Sequence, residues 1–143
     1  MNLYLDTSAL VKRYIRERGS QEVAGWIADA DLSATSVIAL VEAAAAFARA
    51  SKMGGISPKT GERAVEALSR QWAAYIRIQP TQKLIDQAAN LAWRLGLRGY
   101  DAVHLASAEA WQSDLGQPIA LVTYDQQLAA AGKRLGLIIW PDD

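Results

Sequence analysis

The stretch Asn2-Leu3-Tyr4-Leu5-Asp6-Thr7-Ser8 decides the fold, because a short apolar run ends abruptly in a carboxylate and two hydroxyls. An uninterrupted apolar run such as Leu3 to Leu5 is typical of a strand that is buried on both faces of a parallel sheet. Asp6 falls where this strand gives way to a helix, and in open parallel sheets ligands bind outside the carboxyl ends of the strands. Asp6 is therefore either a functional acid or simply a cap on the helix, a role that Ser8 can also fill.

The composition is that of a globular domain. The chain has 143 residues, of which 51% are hydrophobic and 21% are charged. This length favours one domain over residues 1–143, and this composition excludes a disordered chain. No apolar run reaches the roughly 18 residues of a membrane-spanning helix, and Asp6 interrupts the only place where a signal-peptide core could start. We therefore expect a cytoplasmic protein without a membrane span.

The cysteine and histidine content limits the chemistry. Because the chain has no cysteine and a single histidine, it cannot form a thiolate metal site, a disulfide or a multi-histidine zinc site of its own. Any metal must be held mainly by oxygen. The 15 Lys and Arg residues balance 15 Asp and Glu residues, which argues against nonspecific coating of nucleic acid but leaves room for an enzyme with a local basic rim.

Strands and helices alternate along the chain. Strands are predicted at 32–35, 75–79, 119–123 and 137–140, and helices over 9–16, 21–30, 37–52, from Ser57-Pro58 onward, from Thr81 to Leu95, from Asp101 onward and over 126–135. This alternation predicts a parallel sheet flanked by helices, with right-handed crossovers. The first helix carries a basic cluster, which is either a solvated face or a surface that contacts phosphate. Its members are Lys12, Arg13, Arg16 and Arg18.

Glu42 lies in an unusual setting for an acid. It is the only residue between Val37 and Ala48 that is not apolar. An unpaired ionised acid in such surroundings is unfavourable, so the carboxyl must be neutral, partnered or bound to a cation. The alternatives are a pairing with an arginine or an exposed position on the helix.

Two further acids open helices. Asp101 lies in the first turn of an alanine-rich helix, where the helix dipole favours an anion and part of its role could be capping. Asp125 follows the strand predicted at 119–123, so the opening pattern of a buried strand and an acid recurs. His104 is spaced to lie near Asp101, and on a face of small residues it is better explained as a packed or supporting group than as a catalyst.

Acids in these positions indicate a metal-dependent reaction. Asp6, Glu42, Asp101 and Asp125 are expected to lie at the same edge of the sheet. Like charges raise one another's pKa, and one or two hard cations such as Mg²⁺ or Mn²⁺ would keep the acids ionised. Such a cluster suits phosphodiester hydrolysis, because a metal lowers the pKa of the attacking water and stabilises the leaving oxygen. The sequence has no Walker A loop, no dinucleotide fingerprint and no second aspartate two residues after Asp6.

The order and setting of these acids resemble those of the PIN-domain ribonucleases, and more narrowly the VapC toxins of bacterial and archaeal toxin–antitoxin systems. The resemblance spans the whole chain. It is carried by Asp6-Thr7-Ser8, by Glu42 in its apolar helix, by Tyr100-Asp101-Ala102 at the start of a helix and by Thr123-Tyr124-Asp125 after a strand. It implies a three-layer α/β/α fold around a central parallel sheet of about five strands.

The resemblance also implies a function. It points to Mg²⁺- or Mn²⁺-dependent endonucleolytic cleavage of RNA, to a homodimer and to inhibition by a cognate antitoxin that occupies the active-site groove. Carried over to this chain, the metal-binding acids are Asp6, Glu42, Asp101 and Asp125, and the supporting hydroxyls are Ser8 and Thr123. Two alternatives remain: a PIN nuclease that acts in RNA processing or on structured DNA, and a binding module that keeps the fold without catalysis. Retention of all four acids argues against the binding module.

Overall fold

Five parallel strands form the centre of the computed structural model, which describes residues 1–142. The strands are β1 (Asn2–Leu5), β2 (Ser33–Ser36), β3 (Ile76–Ile78), β4 (Ile119–Val122) and β5 (Ile138–Trp140). The α-helices are α1 (Thr7–Leu10), α2 (Ser20–Asp29), α3 (Ala39–Lys52), α4 (Pro58–Gln71), α5 (Gln82–Leu95), α6 (Gly99–Leu115) and α7 (Gln126–Arg134). The strand order is β3-β2-β1-β4-β5.

β1 is the central strand of the sheet, and all four of its residues are buried. It pairs with β2, with Leu3 opposite Ser33, and with β4, with Leu5 opposite Val122. The strand order runs outward from β1 in one direction through β2 and in the other through β4, so the topological switch point lies between β1 and β4. Ligand sites of parallel sheets form at such a point, beyond the carboxyl ends of the strands.

Helices cover both faces of the sheet. Tyr4 and Leu121 pack on one face in a cluster with residues of α5, α6 and α7, whereas Leu3, Leu5 and Val122 pack on the other face with residues of α1 to α4. Burying each such leucine contributes about 1.5–3 kcal/mol to folding. The predicted α/β/α architecture with a five-stranded parallel sheet is confirmed.

Several helix ends follow their local sequence signals. The Ser57 hydroxyl accepts a hydrogen bond from the Thr60 amide at 3.1 Å, and the Thr81 hydroxyl accepts one from the Leu84 amide at 3.2 Å. Gly96, with φ of +67°, ends α5. These side-chain caps satisfy amides that have no partner within the helix, so α4 and α5 begin where the sequence predicts.

The first predicted helix differs from the structure. The segment predicted as one helix over 9–16 consists of α1 and a 3₁₀ turn at Val11–Arg13. Asp6 rather than Ser8 caps α1, because its carboxylate accepts the Ala9 amide hydrogen at 2.9 Å. The helical winding ends at Tyr14, whose amide donates to the Val11 carbonyl at 3.0 Å.

The helix that carries Glu42 begins later than predicted. α3 starts at Ala39 and not at Val37, because the Val37 amide donates to the Ile78 carbonyl of β3 at 3.1 Å and so extends the sheet pairing. None of the helices in residues 1–142 is long and apolar enough to cross a membrane.

Candidate active site

Asp6 lies at the carboxyl end of β1 and is 2% exposed. One carboxylate oxygen accepts the Ala9 amide at 2.9 Å and the Ser8 hydroxyl at 2.7 Å, and the other accepts the Thr123 hydroxyl at 2.6 Å. Asp6 therefore caps α1 and also faces the end of β4. Burial raises the pKa of Asp6, whereas the charge of His104 and the three hydrogen bonds lower it, and burial prevails.

Two hydroxyls connect the ends of β1 and β4. Thr123 donates to Asp6 and accepts the Asp125 amide hydrogen at 3.1 Å. The Ser8 hydroxyl oxygen accepts the Tyr124 amide hydrogen at 2.9 Å. Because β1 and β4 are paired in register, these short bonds fix the Asp6 carboxylate in one orientation. Ser8 and Thr123 are thus placed to support Asp6.

Asp101 and Asp125 share one arginine. The Arg98 Nε donates to Asp101 Oδ2 at 3.2 Å, and Arg98 Nη2 donates to Asp125 Oδ2 at 2.8 Å. The Asp101 side chain is 6% exposed, and that of Arg98 is 57% exposed. The other Asp125 oxygen caps α7 by accepting the Leu128 amide hydrogen at 2.9 Å. Arg98 therefore holds two acids that come from different helix starts.

Asp101 is close enough to the neighbouring acids for their charges to act on it. Burial raises the pKa of Asp101, and the negative charges of Asp125 and Asp6 raise it further. The ion pair with Arg98 lowers this pKa but does not cancel the other two effects. Asp101 thus lies within electrostatic reach of two other predicted acids, Asp6 and Asp125.

Glu42 contacts His104 and Thr7 rather than Arg98. Its Oε1 accepts the Thr7 hydroxyl at 2.6 Å and lies 2.9 Å from His104 Nε2. Partial burial would raise the pKa of Glu42, but the hydrogen bonds from His104 and Thr7 hold the pKa below its usual value. The sequence predicts a Glu42 carboxyl that is neutral, partnered or bound to a cation; in the structure His104 and Thr7 are its partners, and the alternative of an arginine partner is not what the structure has.

His104 is buried between Glu42 and Tyr4. Its Nδ1 lies 2.8 Å from the Tyr4 hydroxyl, and its side chain is 2% exposed. Burial raises the pKa of Tyr4 well above its ordinary value, so Tyr4 keeps its proton. Since an ionised carboxylate can only accept, Nε2 carries a hydrogen and donates it to the Glu42 hydrogen bond. His104 hydrogen-bonds Glu42 and not Asp101, so it acts as a supporting group for Glu42.

The four acids lie at one edge of the sheet but have different partners. Ser8 and Thr123 hold Asp6, Arg98 holds Asp101 and Asp125, and His104 with Thr7 holds Glu42. Among residues 1–142, no three acidic or histidine side chains lie close enough to form a ready metal-binding group. The side chains nevertheless fit a hard divalent cation, because the available donors are carboxylate and hydroxyl oxygens. Burial raises the pKa of Asp6 and of Asp101, and additional positive charge at the site would oppose this effect.

Three residues of the site were not identified from the sequence. Arg98, Thr7 and Tyr4 contact the predicted acids or His104 directly. The only sequence signal for Arg98 is its spacing of three residues before Asp101, which is a common ion-pair spacing on a helix. Thr7 and Tyr4 meet His104 across about a hundred positions of the chain, so no local pattern could reveal those contacts.

Comparison with known proteins identifies the family. The PIN domain model matches residues 3–134. Ribonuclease VapC46 of Mycobacterium tuberculosis is 33% identical to this chain over 137 residues, which are 96% of the chain and 95% of that relative. The chain therefore belongs to the PIN domain family, as a member of the VapC type. The resemblance inferred from the four acids is confirmed.

Solved structures share the fold. VapBC2 from Rickettsia felis, bound to a DNA fragment from its promoter, aligns with a TM-score of 0.67 and 19% identity over 100% of both chains. A toxin–antitoxin complex from Klebsiella pneumoniae aligns with a TM-score of 0.61 and 18% identity over 86% of both chains. At these identities the likeness concerns the fold alone.

Proposed function

We propose that this protein is a Mg²⁺- or Mn²⁺-dependent endoribonuclease that acts as the toxin of a toxin–antitoxin pair. The observation that supports this proposal most is the placement of Asp6, Asp101 and Asp125 at the switch point of the sheet, close enough for their charges to interact. The relative VapC46, which carries the word ribonuclease in its name, is 33% identical over nearly the whole chain. Buried acids that repel one another favour binding of a divalent cation.

The residues that would hold the cation are Asp6, Glu42, Asp101 and Asp125. When bound, the metal supplies a water of lowered pKa and positive charge for the phosphodiester oxygens. Ser8 and Thr123 orient the Asp6 carboxylate, and His104 with Thr7 orients Glu42 and keeps it ionised. Arg98 pairs with both Asp101 and Asp125, and its exposed guanidinium can also donate to a phosphate oxygen.

The proposed partners are an antitoxin and a second copy of the chain. Val41 is 69% exposed and Tyr100 is 47% exposed, and each is adjacent in sequence to an acid of the site. Apolar surface at the rim of an active site suits a segment of a partner protein. We expect an antitoxin segment to bind there and to block the acids. A cytoplasmic location and a homodimer belong to the same proposal.

RNA cleavage tests the enzymatic proposal directly. Purified protein is incubated with a mixed pool of single-stranded RNA and Mn²⁺, Mg²⁺ or EDTA, beside the variants Asp6→Asn and Asp114→Asn. Asp114 is an exposed acid near the end of α6, away from the site, so it is a matched control. We expect cleavage with either metal, none with EDTA, none by Asp6→Asn and normal cleavage by Asp114→Asn.

Two further measurements separate the alternatives. If the wild type neither cleaves RNA nor binds Mn²⁺ by calorimetry, the nuclease proposal is wrong and a binding module is the better explanation. Expression in a bacterial host tests the toxin role: we expect growth arrest with the wild type and normal growth with Asp6→Asn. Cleavage in vitro without growth arrest would instead favour a nuclease of RNA processing.

A further inference from the structure

A basic cleft lies outside the four-acid site. Its volume is about 470 Å³, and α4 and the end of the first helical segment form its walls. Three arginines line it, Arg13, Arg63 and Arg70, and Glu66 is the only acid in its lining. We refer to it as the arginine cleft. Its excess of positive charge stands out in a chain whose net charge is zero.

The arginines of the cleft have no internal counter-ion. Within residues 1–142, none of the three guanidinium groups lies within 4.0 Å of a carboxylate, whereas Lys12 pairs with Glu17 and Arg98 pairs with two aspartates. All three arginines are exposed. Concentrating unpaired cations in one cleft is unfavourable for the isolated chain, and the repulsion is relieved when an anion binds between them.

One end of the cleft is held by hydrogen bonds. The Tyr14 hydroxyl donates to Gln71 Oε1 at 2.8 Å and lies 2.7 Å from the Tyr75 hydroxyl. The Arg13 guanidinium lies 5.8 Å from the centre of the Tyr14 ring, within the range of a cation–π contact. The wall that carries Arg13 is thus preorganised, which reduces the entropy lost when a ligand binds.

One short helical segment separates Arg13 of the arginine cleft from Asp6. Asp6 caps α1, and Arg13 ends the 3₁₀ turn that follows α1 directly. Seven residues of helical rise separate the two, a distance of about 10 Å along the axis. Arg13 also lines a neighbouring cleft of mixed charge, in which two acids accompany Lys12 and Arg16. Arg13 also lines a cleft with the first residues of β2 and β3, so the arginine cleft extends towards the amino edge of the sheet, away from the acids at the carboxyl edge.

We propose that the arginine cleft binds the phosphodiester backbone of the RNA substrate at a distance from the cleavage site, an inference that rests on the proposed ribonuclease function. Guanidinium groups bind phosphate with paired N–H donors, and such contacts position a strand without reading its sequence. A strand cut at the acids continues on both sides of the cut, and three arginines without a carboxylate partner offer positive charge to its phosphates. Of the two alternatives for the basic cluster, a solvated face and a surface that contacts phosphate, this proposal assigns the second to Arg13.

RNA binding by a catalytically inactive protein tests the inference. In the Asp6→Asn background, the affinity for fluorescein-labelled uridine-only and adenosine-only strands is measured by anisotropy over a range of salt concentrations. The test variant is Arg63→Gln with Arg70→Gln, and Arg13→Gln is a second variant. The matched control is Arg49→Gln with Arg134→Gln, which removes the same charge from exposed helix ends outside the cleft.

Each phosphate contact to a single strand contributes about 0.7 to the slope of log affinity against log salt. We therefore expect the double cleft variant to bind about tenfold more weakly near physiological salt, with a slope smaller by about 1.4. The loss of affinity should be the same for the uridine-only and the adenosine-only RNA, because backbone contacts do not read sequence. If the cleft variants match the control in affinity and slope, the inference is wrong, and an acidic protein partner becomes the better candidate for this cleft.

Steady-state cleavage distinguishes this inference from the proposed function. In the otherwise wild-type protein with Mn²⁺, we expect the double cleft variant to raise KM about tenfold with kcat unchanged, because the contact contributes equally to substrate and transition state. A fall in kcat with normal KM would overturn the inference. If the wild type fails to cleave RNA while the cleft variants still lose RNA binding, the ribonuclease proposal is wrong and the cleft assignment stands.

Discussion

Asp101 is a buried acid whose charge is only partly offset by Arg98. Burial and the neighbouring acids raise its pKa in the folded protein. A carboxyl whose folded pKa lies above its unfolded value stabilises the fold when protonated, and this contribution is lost as the pH rises through the folded pKa. We therefore expect metal-free Asp101→Asn to unfold at a higher temperature than the wild type near neutral pH, with a margin that shrinks towards about pH 4.

Circular dichroism melts in EDTA over this pH range measure the difference. Asp114→Asn changes an exposed acid of the same helix, and its melting temperature should follow that of the wild type. A lower melting temperature for Asp101→Asn at every pH would mean that the ion pair with Arg98 outweighs the repulsion. Asp101→Asn should also abolish RNA cleavage.

His104 acts on the site through Glu42. Its Nε2 lies 2.9 Å from the Glu42 carboxylate, and its Nδ1 is held by Tyr4. Partners that orient a metal ligand typically contribute 10- to 100-fold to affinity, so we expect His104→Leu to weaken Mn²⁺ binding by about that factor. Titration calorimetry measures this without depending on catalysis.

Tyr4→Phe is the matched comparison for His104→Leu. It keeps the imidazole beside Glu42 and removes only the hydroxyl that contacts Nδ1. We expect a smaller loss of Mn²⁺ affinity from Tyr4→Phe. If folded His104→Leu bound Mn²⁺ as tightly as the wild type, His104 would be a packing residue only.

The sequence predicted those elements whose ends depend on local chemistry. Ser57 and Thr81 cap their helices through their own hydroxyls, and β1 is recognisable from its unbroken apolar run. The start of α3 depends instead on a hydrogen bond from the Val37 amide, directly after β2, to the Ile78 carbonyl of β3. The length of α1 depends likewise on hydrogen bonds of the Tyr14 hydroxyl with Gln71, at the end of α4, and with Tyr75. Local patterns contain no information on such pairings.

The same distinction applies to the site. The positions of the acids were predictable because an acid that follows a buried strand or interrupts an apolar helix is conspicuous in a sequence. Their partners were not, since Arg98 reaches Asp125 across 27 positions and Tyr4 reaches His104 across 100. Side-chain pairing between distant elements follows from the packed fold, so the division of the acids into separately held units emerged only from the structure.

Gly19 permits the chain turn before α2. Its φ is +90°, and a Cβ atom added there would lie 2.8 Å from the Tyr124 hydroxyl. Backbone strain and this clash together predict that Gly19→Ala destabilises the protein by about 1–3 kcal/mol. Urea unfolding measures the change.

Gly25 is the internal control for Gly19. It lies within α2, and nothing comes within 4 Å of an added Cβ. Because alanine is the better helix former, we expect Gly25→Ala to stabilise the protein by about 0.5–1 kcal/mol. If Gly19→Ala stabilised the protein as Gly25→Ala is expected to do, the turn at Gly19 would not have the conformation described.

The four acids connect distant parts of the whole molecule. Asp6 follows the central strand, Asp125 follows β4, and Glu42 and Asp101 lie on helices that cover opposite faces of the sheet. In the unfolded chain these acids are far apart, so a cation that binds all of them binds the folded state only. Such a ligand stabilises the fold by about 2.7 kcal/mol at a hundredfold excess over its Kd.

Addition of Mn²⁺ should therefore raise the melting temperature by several degrees, since about 1 kcal/mol shifts the melting temperature of a chain of this size by roughly 2–4 °C. Removal of the metal with EDTA should reverse the shift. Asp6→Asn should lose most of the increase and Asp114→Asn should keep it, because only Asp6 belongs to the site. An equal increase in both variants would place the bound metal elsewhere on the protein.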